Sequence, residues 1–212
     1  MNYFRLNLDI NPIRDTFNLE HNNGDFWHVY VKVTDVLNDW VLEKFNSLGL
    51  IPNSVVIFSS PENQRKQGFL HKDLIWKANK WQTVPCAVNW ELRPVRTRIQ
   101  WYDTTQCKEY WPDKNFYEID YPLNYLNGIG YSTPDCHNVF APPGMPDKSV
   151  LLQETVVDYV TPILFRTDHA HCITYESDVQ DRFMCSVRFE NIDSWEHAIE
   201  KFDSVIYKEN FW

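Results

Sequence analysis

CAVNWELRPVRTRIQWYD, residues 86–103, decides the fold class. It reads as two strands, CAVNWEL (86–92) and TRIQWYD (97–103), joined in a hairpin around Arg93–Arg96. The same strand pattern recurs on either side. In FWHVYVKV (26–33), Val29, Val31 and Val33 share one face of an alternating run. SVVIFSSP (54–61) is a short buried strand ending in a turn, and GFLHKDL (68–74) is a strand running into a loop. VLLQETVVDYV (150–160), PILF (162–165) and RFMCSVRFE (182–190) continue the series.

Two helices interrupt the strands. Asp35 is placed as an N-cap, after which Leu37, Trp40, Val41, Phe45 and Leu48 recur at helical spacing until Gly49 stops the helix. Asp193 or Ser194 caps a final amphipathic helix running to about Ile206. The expectation is a mainly β fold with supporting helices, in the form of a double-stranded β-helix (a jelly roll, cupin-like), as one domain over 1–212. The stretch 104–148 is rich in aromatics and prolines, includes APPGMPD (141–147), and has no clear period. A loop of that length points to a functional insertion or lid.

Composition narrows the function. Of 212 residues, 43% are hydrophobic, 16% are aromatic and nine are tryptophan, enough for a sizeable core. A net charge of −9 argues against a nucleic-acid partner, which needs a basic face. No window holds eighteen consecutive apolar residues, so no membrane span is expected. The start, MNYFRLNLDINPIRD, lacks the basic and apolar regions of a signal peptide. Cys86, Cys107, Cys136, Cys172 and Cys185 are odd in number and contain no CxxC pair. They read as free thiols in a reducing, cytoplasmic compartment.

His71-Lys72-Asp73 is an HxD. On an extended chain residues i and i+2 point the same way, so one imidazole and one carboxylate can meet one metal ion. Alone the motif is weak: with 7 histidines in 212 residues, chance supplies roughly one HxD in every two such chains. A third ligand strengthens it. LFRTDHAHCI (164–173) carries His169 and His171, and His171 lies 98 residues after Asp73. Two neutral imidazoles and one carboxylate form the facial triad of non-haem Fe(II) sites. The carboxylate leaves such a site one positive charge and open positions for an anionic co-substrate and O₂. Eleven residues beyond His171, Arg182 opens the strand RFMCSVRF and is a candidate anchor for a free carboxylate. Arg188 shares its face but sits about 20 Å further along, and is expected in a surface or end-of-sheet salt bridge.

HKD, CAVNWELRPVRTRIQWY, ILFRTDHAH and RFMCSVRF together resemble the 2-oxoglutarate- and Fe(II)-dependent oxygenases. The likeness is greatest to the branch of aspartyl/asparaginyl β-hydroxylases and free-amino-acid hydroxylases. It covers roughly 68–103 and 160–190. It implies His71, Asp73 and His171 as metal ligands and catalytic residues, Arg182 as the 2-oxoglutarate anchor, and Thr167-Asp168 as the pair preceding the distal histidine. His169 stands where that pattern has an apolar residue, and Ala170 where it has proline. His169 thus remains an alternative ligand, or a neighbour facing the same pocket if the backbone is extended. Asn89 and Ser186 are further candidates for binding the co-substrate. Trp90, Trp101 and Tyr102 line the pocket or fill the core. His28, His137 and His197 have no partner pattern.

The resemblance implies oxidative decarboxylation of 2-oxoglutarate with O₂ and hydroxylation of an unactivated C–H bond. The retained Asp73 favours hydroxylation over halogenation. The substrate expected is a small polar molecule such as an amino acid, or a peptide or protein side chain. The alternatives are a non-catalytic β-barrel binding protein and a cupin-like metalloprotein.

Overall fold

The computed structural model describes residues 1–8, 11–17, 27–60, 70–77, 80–93, 96–107, 149–157, 161–175 and 182–208. In chain order the elements are β1 (Tyr3–Arg5), β2 (Trp27–Val31), α1 (Val33–Val36), α2 (Asp39–Ser47), β3 (Pro52–Ser60), β4 (Leu74–Lys77), β5 (Lys80–Thr83), β6 (Cys86–Arg93), β7 (Thr97–Asp103), β8 (Val150–Val157), β9 (Ile163–Arg166), β10 (His171–Tyr175), β11 (Arg182–Phe189) and α3 (Trp195–Phe202), followed by a 3-10 turn (Asp203–Val205). Among the described residues no helix is long and apolar enough to cross a membrane. The expected insertion at 104–148 lies outside the described residues from 108 onward.

The chain is mainly β, and among the described residues every strand pairing is antiparallel. A six-stranded sheet runs β1-β9-β6-β11-β3-β2, a three-stranded sheet runs β10-β7-β8, and β4-β5 form a small hairpin. Alternation along the strands sorts the large sheet into two faces. Val55, Ile57, Val88, Trp90, Leu164, Cys185 and Val187 point toward the helices and belong to one buried cluster with Val41, Phe45, Ala198 and Phe202. Phe45 of α2 is its hub. Its ring meets Trp90 at 6.0 Å, Phe189 at 5.0 Å and Phe202 at 6.4 Å, all edge-on. Each such pair adds about 0.5–1.5 kcal/mol beyond simple burial.

The opposite face is split. Ile163 and Phe165 of β9 pack on Ile99 and Trp101 of β7 and Val157 of β8, joining the two sheets. Next to them the large sheet presents Ser54, Asn89, Glu91, Ser186 and Arg188, all buried. Polar side chains cost free energy to bury unless they are paired. This polar patch between the sheets is where the candidate site lies.

Three expectations need correction. First, β6 and β7 are not a hairpin. β6 is a central strand whose two edges are taken by β9 and β11, while β7 pairs with β10 and β8 in the other sheet. The burial of Cys86 to Glu91 on both faces fits an interior strand. Second, Asn38 rather than Asp35 caps the long helix, its Oδ1 accepting from Val41 N at 2.9 Å. Val33–Val36 form a separate short turn of helix, which ends where Leu37 goes extended to bridge Ile13. Trp40, assigned to the apolar stripe, is exposed, and Gly49 does end the helix, with φ 66°. Third, His71 lies in no strand: it forms a single bridge with His171, and β4 begins only at Leu74. At the other end of the chain, Ser194 caps α3, its Oγ accepting from His197 N at 3.1 Å.

Candidate metal centre

The two histidines are brought together by backbone. His71 N donates to the His171 carbonyl at 3.0 Å, and His171 N donates to the His71 carbonyl at 2.8 Å. This reciprocal pair lies at the start of β10 and sets the rings 4.5 Å apart. Asp73 is fixed in the same manner. Its N–H donates to the Thr167 carbonyl and its carbonyl accepts from Val84 N, both at 2.9 Å. Thr167 is itself tied down, with Oγ1 donating to the Val84 carbonyl at 2.6 Å.

Asp73 Oδ1 lies 3.7 Å from Nε2 of His71 and 3.7 Å from Nε2 of His171. The three ligand atoms fall within 4.8 Å of one another, and the group could hold a metal ion. A metal about 2.1 Å from each ligand spans such Asp–His separations. Two nitrogens and one carboxylate are a donor set for first-row divalent metals.

His171 is prepared for ligation. Its Nδ1 lies 2.8 Å from the His169 carbonyl, which fixes Nδ1–H as the donor and leaves the Nε2 lone pair facing Asp73. Burial, with His71 alongside, brings the imidazole down to about 3, so it is neutral at physiological pH. Phe165 packs edge-on against the ring at 4.9 Å.

His169 takes part through its backbone carbonyl. The chain bends at Asp168 and His169 instead of staying extended, so the two rings do not share a strand face. The His169 ring is half-buried, and its Nδ1 has no partner among the described residues. Asp168 pairs with Arg166 at 2.7 Å.

Arg188 is the residue that sequence spacing misplaced. Instead of a surface or end-of-sheet ion pair, it is 3% exposed and donates from Nη2 to Asp73 Oδ2 at 2.6 Å. Its Nη1 donates to Ser186 Oγ, and Ser186 Oγ donates to Asn89 Oδ1. Ser186 and Asn89 are directly opposite each other across β11 and β6. The two candidates Asn89 and Ser186 therefore join the triad through Arg188. Arg188 Nε and Ser54 Oγ, on residues paired across β11 and β3, have no hydrogen-bond partner among the described residues.

Arg182 opens β11 opposite Ser60, and its side chain lies outside the described residues. The signal for Arg188 was present in the chain lengths. β10 runs away from His171 for five residues, and β11 returns after the connection 176–181. The level of His171 is therefore regained near the end of β11.

The other candidates fill the core or lie apart. Trp90 belongs to the helix-side cluster and Trp101 to the layer between the sheets. Tyr102 packs against the separate cluster containing Cys172, and burial pushes its phenol up to about 12. Cys86, Cys107, Cys172 and Cys185 are free thiols. Burial raises Cys86 and Cys185 well above the ordinary thiol range, so both are inert. His197 lies 4.0 Å from Asp193 on α3. The side chain of His28 and all of His137 lie outside the described residues. Set against models of known protein families and against curated proteins, the chain matches none.

Proposed function

We propose that this chain is an Fe(II)- and 2-oxoglutarate-dependent dioxygenase, in which His71, Asp73 and His171 hold the metal. The observation that carries the reading is the pairing of Arg188 with Asp73 beside the imidazoles of His71 and His171. The Asp73 and Arg188 charges offset each other. A divalent metal then leaves this buried contact set with about two positive charges, and a buried charge needs a counter-charge. The dianion 2-oxoglutarate supplies one.

The polar patch supports the same ligand. Arg188 Nε and Ser54 Oγ are buried polar atoms without partners among the described residues, next to Ser186 and Asn89. A carboxylate satisfies such donors. Arg182 stays the proposed anchor for the free carboxylate, with Arg188 Nε and Ser54 Oγ as additional donors. Iron and 2-oxoglutarate, when bound, supply the oxidising power to hydroxylate an unactivated C–H bond with O₂. The protein's own share is to hold His171 in one tautomer and to aim Asp73.

The fold reading that goes with this function is a double-stranded β-helix. β6, β9 and β11 lie in one sheet and β7, β8 and β10 in the other, so the chain crosses repeatedly between the two. The substrate class is a small polar molecule such as an amino acid, or a peptide side chain.

Anaerobic addition of Fe(II) and 2-oxoglutarate tests the proposal. The expected result is a weak visible charge-transfer band, lost in His71→Ala, Asp73→Ala and His171→Ala. Metal binding without that band would favour a cupin-like metalloprotein. Absence of both would favour a non-catalytic barrel.

A further inference from the structure

We infer that Arg188 is a positioning residue that confines Asp73 to binding a metal through one oxygen. The inference rests on reading the triad as a divalent-metal centre and makes no use of 2-oxoglutarate. A carboxylate can ligate through one oxygen or both, and the second mode takes up an extra coordination position. In Asp73 the two oxygens have different occupations. Oδ1 faces Nε2 of both histidines at 3.7 Å, while Oδ2 receives Arg188 Nη2 at 2.6 Å.

Swinging Oδ2 toward the metal would break that bond, and the guanidinium cannot follow. Its Nη1 is held by Ser186, Ser186 is held by Asn89, and all four side chains are buried. Arg188 also stands on β11 between β3 and β6, in the middle of the large sheet. The carboxylate plane is thus set from behind by a fixed cation. A six-coordinate metal would keep about three positions for exogenous ligands. With Asp73 bound through both oxygens it would keep about two.

The test counts metal-bound water in the full-length protein loaded with Mn(II), from the broadening of its EPR lines in ¹⁷O-enriched water. The wild type is expected to hold about three waters on a six-coordinate ion. Arg188→Met should hold one fewer, and Arg188→Lys, which keeps a cation against Oδ2, should restore the wild-type number. Equal counts in the wild type and Arg188→Met would overturn the inference. If Arg188→Met does not fold, the wild type still decides, because a count of two in it overturns the inference alone. Failure of the wild type to bind Mn(II) would instead remove the metal-centre reading itself.

Discussion

Arg188 Nη2 donates to Asp73 Oδ2 at 2.6 Å, joining residues 115 positions apart in the chain. Both side chains are almost wholly buried. Removing one partner strands the other charge, at a cost of about 3–5 kcal/mol, whereas removing both leaves no orphan. In metal-free protein, Arg188→Met and Asp73→Asn should each lower the urea unfolding free energy by about that amount. The double variant should lose less than the two single losses combined. Additive losses in the double-mutant cycle would show that the pair does not couple.

The neutral His171 makes metal-free stability pH-dependent. Its pKa falls from the ordinary histidine value of 6.5 to about 3 in the folded protein, chiefly through burial. Below pH 6.5 the unfolded chain takes up a proton that the native state refuses until near pH 3. The His171 contribution is therefore complete above the unfolded pKa and lost as pH falls through this window, by up to about 1.4 kcal/mol per pH unit. Urea midpoints measured with a chelator at several pH values should follow this trend. His171→Gln, which cannot titrate, should flatten it.

The two histidines of LFRTDHAHCI should respond differently to substitution. His171 offers Nε2 to the triad, whereas His169 offers its carbonyl to His171 Nδ1. A backbone carbonyl survives truncation of its side chain. His169→Ala should keep Co(II) affinity within a few-fold, and His171→Ala should lose it by a hundredfold or more, on the order expected for a direct ligand against its supporting shell. Equilibrium dialysis gives both numbers, and equal losses would assign a metal-facing role to the His169 ring.

Strand periodicity exposed most of the elements, most plainly in β6 and β11, where one face is uniformly apolar. Val88 and Trp90, or Cys185 and Val187, mark the helix-side core wherever the large sheet lies. It could not say which strands pair. CAVNWEL and TRIQWYD are adjacent in sequence and each has the length of a hairpin arm, yet both edges of each are used by other strands. The triad was legible because its chemistry restricts residue type, and HxD places two ligands by local geometry alone. Arg188 was not. Strand parity gives Arg182 and Arg188 the same face, and only the path of β10 and β11 shows that the latter returns to His171. The Asn38 cap was hidden for a related reason: Asp35 and Asn38 are both capping residues, and the extended turn at Leu37 that separates them is imposed by its bridge to Ile13.

Thr167 offers a test of how the scaffold holds the site without touching the metal. Its hydroxyl donates to the Val84 carbonyl at 2.6 Å, and the side chain is 1% exposed. The neighbouring bonds, Asp73 N to the Thr167 carbonyl and Val84 N to the Asp73 carbonyl, close a small ring of chain around the Asp73 backbone. Thr167→Val preserves shape but leaves the Val84 carbonyl without that donor in a place water cannot easily reach. The stability cost should be about 1–3 kcal/mol. Because Asp73 is anchored through the same ring, Co(II) affinity should fall on the order of tenfold, the size of effect seen when supporting contacts of metal ligands are removed. Thr167→Ser keeps the hydroxyl and should restore most of both. A Thr167→Val protein that is less stable but binds Co(II) as tightly as the wild type would show that Thr167 supports the fold without aiming Asp73.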